Sequence, residues 1–252
     1  EDGSVRVALV VYDGVLGSEC EAFASILGLA DDAEVVTVGA RSGRNRGPGG
    51  DPEVDLTFDE VDDVDIAVVP GGLGCERAAD DPELRNFLRR MERSARFVVA
   101  SSTGTVLLAS AGLLHGSPAA THWLAGDLLR RYGSEVDERR MVATGNVITC
   151  EGRISAVDAA FGLVQRLDGP AAVTRIRTTL LERGQPLLRP EPWWRPAFTR
   201  AAAVLGRPDR GRRSTGERAP DRPAVTPLSV MVELVDTDEL ARELRRPRRR
   251  RR

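Results

Sequence analysis

Residues 96–123 read RFVVASSTGTVLLASAGLLHGSPAATHW. The run at 96–100 is apolar and β-branched, as in a buried strand, and residues 105–114 are mostly good helix formers. Because only residues 101–104 separate the two, we expect a sharp strand-to-helix turn there. A turn of this kind presents one side chain beside the unpaired N–H groups of the following helix. The pattern predicts that this side chain is Ser102.

Strands and helices alternate on both sides of this turn. Apolar runs predict strands at 5–12, 34–38, 54–58 and 65–70 and a hairpin at 141–150. The stretch at 41–52 is rich in Gly, Arg and Pro, which predicts a loop. Helical spacing predicts helices at about 19–30 with Ser18 as N-cap, from Asp81 to beyond Met91, around 125–132, at 154–167 and at 170–183. The alternation indicates an α/β fold, with a mostly parallel sheet sandwiched between helices in a flavodoxin-like, three-layer arrangement.

The charge of the chain is unevenly distributed. Residues 207–252 contain 14 Arg and 8 acidic residues, whereas the whole chain contains 36 basic and 38 acidic residues. We therefore expect the α/β domain at 4–190 and a largely disordered, Arg- and Pro-rich basic tail at 191–252. The terminal Arg run predicts only weak, nonspecific contact with nucleic acid, since no aromatic residues or reading helix accompany it.

The remaining composition narrows the class of protein. No apolar run approaches the roughly 20 residues that a membrane helix needs, and the run at 5–11 is too short for a signal peptide. A cytoplasmic protein without membrane contact is therefore expected. The cysteines, Cys20, Cys75 and Cys150, are odd in number and lack metal-ligand spacing, so we expect no disulfide framework, no metal and no cofactor.

The carboxyl ends of parallel strands form the edge of the sheet at which ligands bind in this fold class. That rule brings Glu19, Gly71, Gly72, Ser102 and His122 to one edge, although they lie far apart in the sequence. Glycines there let the backbone approach a ligand closely and present N–H groups. The sequence therefore predicts one site built from several turns.

Five motifs, in this order, resemble the ThiJ/PfpI superfamily, whose fold is like that of class I glutamine amidotransferases. They are PGGLG at 70–74, the turn at 100–104, AGLLHG at 111–116, ATHW at 120–123 and GNVITCEGRISAVDAAFGLV at 145–164. Within the superfamily, the motifs are most similar to isocyanide hydratases and to the N-terminal domains of AraC-type transcriptional regulators. The resemblance covers about residues 4–190.

The resemblance implies a nucleophile at the turn, an acidic residue at the start of the first helix and an oxyanion pocket of backbone N–H groups. In this sequence the acid is Glu19, the oxyanion amides are those of Gly72 and Thr103, and His122 lies where the family often has a histidine. The candidate ligand-binding residues are Gly71, Gly72, Thr103 and Trp123. A small-molecule ligand or substrate and a homodimer are also implied.

The sequence departs from the family at the nucleophile, which is Cys in the family and Ser102 here. A helix N-terminus can lower the pKa of a thiol enough to give a standing thiolate, whereas an alcohol is far too weak an acid. Ser102 would need a general base within hydrogen-bond reach, and His122 and Glu19 are the candidates. A displaced thiol, Cys20 or Cys75, is a further hypothesis.

Structural roles stay open for the same residues. Ser102 could simply fill the turn, Glu19 could complement the helix dipole, and His122 and Trp123 could pack where a helix begins. Two functions are therefore predicted side by side. The first is hydration or hydrolysis of a small electrophilic carbon compound, as in isocyanide hydratases, and the alternative is a non-catalytic, metabolite-sensing domain.

Overall fold

The computed structural model describes residues 4–44 and 52–184. The strands are β1 Val5–Val10, β2 Ala33–Gly39, β3 Gly43–Arg44, β4 Glu53–Val54, β5 Leu56–Thr57, β6 Ile66–Val69, β7 Phe97–Ser101, β8 Pro118–Ala119, β9 Glu135–Val136, β10 Met141–Thr144 and β11 Val147–Cys150. The helices are α1 Gly17–Leu27, α2 Cys75–Ala78, α3 Pro82–Ser94, α4 Gly104–Ser110, α5 Gly126–Arg131 and α6 Arg153–Glu182. Short 3-10 turns lie at Phe58–Glu60 and Trp123–Ala125.

Seven strands form the main sheet in the order β10-β11-β7-β6-β1-β2-β5. Every neighbouring pair is parallel except the hairpin of β10 and β11. The central strands β1, β6 and β7 are almost wholly buried, which is why their sequences are continuous apolar runs rather than alternating ones. The predicted α/β class, with helices flanking a mostly parallel sheet, is confirmed.

Several local predictions are also confirmed. The Asp81 carboxylate caps α3 by accepting from the amide of Glu83 at 2.8 Å. The hairpin turns at Gly145, whose φ is 61°. The two helices predicted after the hairpin are the two parts of α6, which is broken at Gly169 (φ 83°) ahead of Pro170.

Other boundaries differ from the prediction. Helix α1 begins at Gly17, and its N-cap residue is Leu16, which makes no side-chain capping hydrogen bond. The capping box predicted with Ser18 as N-cap is therefore not formed. The strand predicted at 54–58 is split into β4 and β5, and the helix predicted at 105–114 ends at Ser110. Helix α4 ends in a local turn at Gly112, whose φ is 83°, whereas the start of α1 follows a contact that is remote in sequence. Leu16 donates its amide to the Gly71 carbonyl at 2.8 Å.

One continuous apolar core lies between the sheet and its helices. In the part of the chain that the structure describes, no helix is long and apolar enough to cross a membrane. The predicted basic tail at 191–252 lies outside the described residues.

Candidate functional site

The predicted elbow lies between β7 and α4. Ser102 has a φ of 55°, a left-handed conformation that is uncommon for a residue with a side chain and is often found at functional turns. The backbone on either side is held in place, because the Ser102 amide donates to the Cys150 carbonyl at 2.9 Å and the Thr121 hydroxyl donates to the Ser102 carbonyl at 2.9 Å. The neighbouring strand β11 and the segment after β8 therefore fix this turn.

Glycines allow three backbones to meet at the elbow. A Cβ at Gly104 would lie 2.2 Å from the Val69 carbonyl oxygen, and a Cβ at Gly72 would lie 2.2 Å from the Gly14 oxygen. A Cβ at Gly71 would lie 2.7 Å from Ser102 Cβ and 3.0 Å from its Oγ. The end of β6, the start of α4 and the segment before α1 thus pack against one another without side chains between them.

The Ser102 side chain lies against Gly71, as expected, and only 4% of the residue is exposed. Its hydroxyl makes no hydrogen bond with any residue of the described chain. The Oγ atom is not fully buried, so it keeps contact with solvent. Ser102 is therefore a nearly buried hydroxyl without a hydrogen-bond partner among the described residues.

Glu19 is buried beside Ser102 but makes its hydrogen bonds elsewhere. Its Oε2 accepts from the Gly71 amide at 2.9 Å and from the Ser101 hydroxyl at 2.5 Å. Burial raises the pKa of Glu19, and these two hydrogen bonds and the charge of Arg153 only partly oppose that rise. The predicted acid is at the site, and its partner is Ser101 rather than Ser102.

The amides of Gly72 and Thr103, which were predicted to form an oxyanion pocket, differ in their hydrogen bonds. The Gly72 amide donates to Thr103 Oγ1 at 2.8 Å, and Thr103 Oγ1 donates back to the Gly72 carbonyl at 3.0 Å. The Gly72 amide is therefore occupied, contrary to the prediction that it faces a ligand. The Thr103 amide has no acceptor among residues 4–44 and 52–184, and it lies 3.0 Å from where a Gly71 Cβ would be.

His122 does not complete a relay with Ser102 and Glu19. Its Nδ1 accepts from the Leu124 amide at 3.3 Å, and burial lowers the pKa of the ring, so the imidazole is neutral near pH 7. No hydrogen bond joins it to Ser102 or Glu19 in the described structure. Trp123 is 73% exposed and contacts the His122 ring with centroids 5.8 Å apart, so it borders the site without closing it.

The displaced-thiol hypothesis is not supported by the environment of the cysteines. Cys20 is 4% exposed and Cys75 is fully buried, and burial raises the pKa of each thiol to about 12. Burial also raises the pKa of Cys150. All three groups are therefore neutral thiols near pH 7, and none has the depressed pKa of a reactive cysteine.

Four residues of the site were missed by sequence reasoning: Tyr12, Ser101, Thr121 and Arg153. The Tyr12 hydroxyl donates to the Pro70 carbonyl at 3.0 Å and so supports the glycine turn. Ser101 precedes the predicted nucleophile and Thr121 precedes His122, but nothing in their local pattern marks them as partners. Within the described ranges, no group of three or more His, Cys, Asp or Glu side chains is arranged to hold a metal ion.

Parts of the chain are similar in sequence to proteins of known function. The chain is 37% identical over 113 residues to an isonitrile hydratase of Pseudomonas putida, covering 45% of this chain and 50% of that protein. It is 30% identical over 114 residues to the HTH-type transcriptional regulator CdhR of Pseudomonas aeruginosa, covering 44% of this chain and 34% of the regulator. The chain thus spans half, or less, of the length of these two relatives.

Solved structures show the same fold. A ThiJ/PfpI family protein from Pseudomonas syringae superposes with a TM-score of 0.66 at 22% identity, covering 97% of this chain and 92% of that one. Drosophila melanogaster DJ-1beta superposes with a TM-score of 0.63 at 23% identity, covering 71% and 98%. A model of the DJ-1/PfpI family matches residues 5–166, which is more than half of the chain. The chain therefore belongs to the DJ-1/PfpI family.

Proposed function

We propose that the elbow site adds water to a small electrophilic carbon compound, with an isocyanide as the representative substrate. The single observation that carries the proposal is Glu19, a buried carboxyl with a raised pKa beside an unpaired hydroxyl. Its Oε1 takes no part in the two hydrogen bonds and is not fully buried, which leaves it available to a bound molecule. The similarity to an isonitrile hydratase supports the same reaction class.

Glu19 is the acid and then the base in this proposal. The neutral carboxyl donates its proton from Oε1 to the isocyanide carbon, and the oxygen of a water molecule forms a bond to the same carbon. A proton from that water returns to Glu19, which restores the carboxyl. The resulting imidic acid rearranges to an N-substituted formamide, so one isocyanide and one water give one formamide.

Ser102 binds and orients in this reaction and does not attack. An alcohol nucleophile needs a base within hydrogen-bond reach, and neither His122 nor Glu19 bonds the Ser102 hydroxyl among the described residues. The hydroxyl instead supplies a hydrogen bond to the water or the substrate. The Thr103 amide, which has no acceptor among the described residues, lies close enough to help orient the attacking water by donating a hydrogen bond to its oxygen.

The test measures formamide formation from a neutral alkyl isocyanide. Wild type is compared with the variants Glu19→Gln, Ser102→Ala, Ser102→Cys and Glu83→Gln. Glu19→Gln keeps the size and the acceptor oxygen but cannot donate the proton, so kcat should fall by about 100-fold or more. Ser102→Ala should cost about tenfold or less, as expected for one hydrogen bond. Glu83→Gln, an exposed carboxylate on α3, is the matched control and should behave as wild type.

A non-catalytic metabolite sensor is the second candidate, and the unactivated Ser102 hydroxyl and the similarity to CdhR favour it. If wild type shows no turnover while Ser102→Cys gains it, the hydratase proposal is wrong and the sensor is supported. If Glu19→Gln keeps full activity, the acid–base role of Glu19 is wrong.

The homodimer is implied by the family resemblance, and the cytoplasmic location is predicted from the hydrophobicity pattern of the sequence. We retain a homodimer and a cytoplasmic location as predictions. The weak nucleic-acid contact predicted for the tail concerns residues outside the described part of the chain.

A further inference from the structure

Arg153 follows the turn after β11, the strand that pairs with the elbow strand β7. Cys150, the last residue of β11, pairs with Ser101 and accepts the Ser102 amide at 2.9 Å. The chain then passes through Glu151 and Gly152, and Arg153 is the first residue of α6. Its backbone therefore lies three residues from the carbonyl that holds the elbow.

The Arg153 guanidinium lacks acceptors. Nε and Nη1 are both buried and have no hydrogen-bond partner in the structure. The third nitrogen, Nη2, also has no partner among the described residues, but it is exposed to solvent rather than buried. A guanidinium carries five N–H donors and is always charged, so a half-buried one without any acceptor is unusual.

The nearby carboxylates do not neutralise this charge by contact. Glu151 is paired with Arg140 at 3.0 Å. Glu19 and Glu21 lie close enough to interact electrostatically with Arg153, but neither forms an ion pair with it in the described chain. Among the described residues, no carboxylate is therefore in direct contact with the Arg153 guanidinium.

We infer that Arg153 binds a carboxylate carried by the substrate, so the site selects small anionic electrophiles such as isocyano-carboxylates. Arginine is well suited to this, because its planar donors match a carboxylate. An anion that approaches at Nη2 supplies an acceptor to the adjacent Nη1 after a small rotation of the side chain. The reacting carbon then lies toward Glu19, whose charge interaction with Arg153 places the two groups in one region.

This inference rests on the proposed hydration for the identity of the reacting group, the isocyanide. The binding of a carboxylate by Arg153 is measured separately. The substrates are isocyanoacetate and its methyl ester, which share the isocyanide and differ in charge. Wild type should prefer the anion by about tenfold or more in kcat/KM. Arg153→Gln should lose that preference through KM for the anion while the ester is unchanged, and Arg153→Lys should retain part of it.

Arg175→Gln is the matched control, since Arg175 is an arginine on the same helix that pairs with Asp31 away from the site. The inference would be overturned if Arg153→Gln lost kcat/KM equally for isocyanoacetate and its methyl ester, or lost none for isocyanoacetate. Calorimetric titration with isocyanoacetate gives a readout that does not depend on turnover. Binding by wild type and its loss in Arg153→Gln support the anion site even if hydration fails, whereas no binding by wild type refutes it.

Discussion

For Glu19, the sequence predicted the position of the side chain but not its hydrogen-bond partners. Its position at the start of the first helix led to the expectation that it serves Ser102. In the structure it bridges the Gly71 amide and the Ser101 hydroxyl and leaves Oε1 open. A buried carboxyl with one open oxygen is suited to donating a proton, because burial disfavours its ionised form.

Glu19 should also make stability depend on pH. Its pKa in the unfolded chain is about 4.3, and its folded pKa is raised. The folded state therefore holds the proton in the range where the unfolded chain releases it. Stability should be highest below the unfolded pKa and fall as pH rises toward the folded pKa, by at most about 1.4 kcal/mol per pH unit.

Urea unfolding of wild type and Glu19→Gln between pH 4 and pH 8 measures this effect. The free energy of unfolding of the variant, relative to wild type, should increase with pH over that window, since glutamine cannot ionise. A difference that stays constant across the range would show that Glu19 titrates normally in the folded protein.

At the scale of elements, the site is a junction of β6, β7, α1 and α4. The strand-to-helix turn at Ser102 was predictable because a short buried strand and a helix adjoin within a few residues. The start of α1 was not predictable, since it is set by the contact of Leu16 with Gly71, whereas α4 ends at a local turn at Gly112. Gly71, Gly72 and Gly104 allow the close approach on which the junction depends.

Gly104→Ala should disrupt this junction. The new methyl group would lie 2.2 Å from the Val69 carbonyl oxygen and 2.7 Å from that of Pro70, and both obstacles are backbone atoms. We expect a loss of about 1–3 kcal/mol in the free energy of unfolding, as for other overpacked sites. Gly152→Ala is the control, because nothing lies within 4 Å of a Cβ there. Equal stability of the two variants would contradict the close packing of the elbow.

At the scale of the whole molecule, the sheet and its helices bury all three cysteines, Cys20, Cys75 and Cys150. Burial raises their pKa values, so thiolate is scarce near neutral pH. The thiols should therefore react only when the domain opens. Their reactivity reports global stability rather than local chemistry.

Labelling with a thiol reagent at pH 7.5 should be slow in the native protein and should accelerate with urea in parallel with unfolding. All three thiols should react at once in the unfolded chain, which is the control for reagent access. A single fast-reacting thiol in the native protein would revive the displaced-nucleophile hypothesis, and the Cys20→Ser and Cys75→Ser variants would identify it.

The sequence by itself determined the α/β class, the parallel sheet, the hairpin, the break in α6 and the position of the elbow. These features follow from local patterns: apolar runs for buried strands, helical spacing, and glycine or proline at turns. The sheet edge on which Glu19, Gly71 and Ser102 meet follows from the fold class as well.

Only the tertiary structure decided how the polar groups at that edge are paired. Ser101 binds a carboxyl 82 residues away, and Thr103 occupies the amide of Gly72, 31 residues away. Arg153 interacts electrostatically with Glu19 and has no hydrogen-bond acceptor within residues 4–44 and 52–184. Such pairings depend on strand order, register and side-chain direction, because a hydrogen bond forms only within a few tenths of an ångström of its optimal distance. Local sequence patterns carry no information at that precision about residues so far apart.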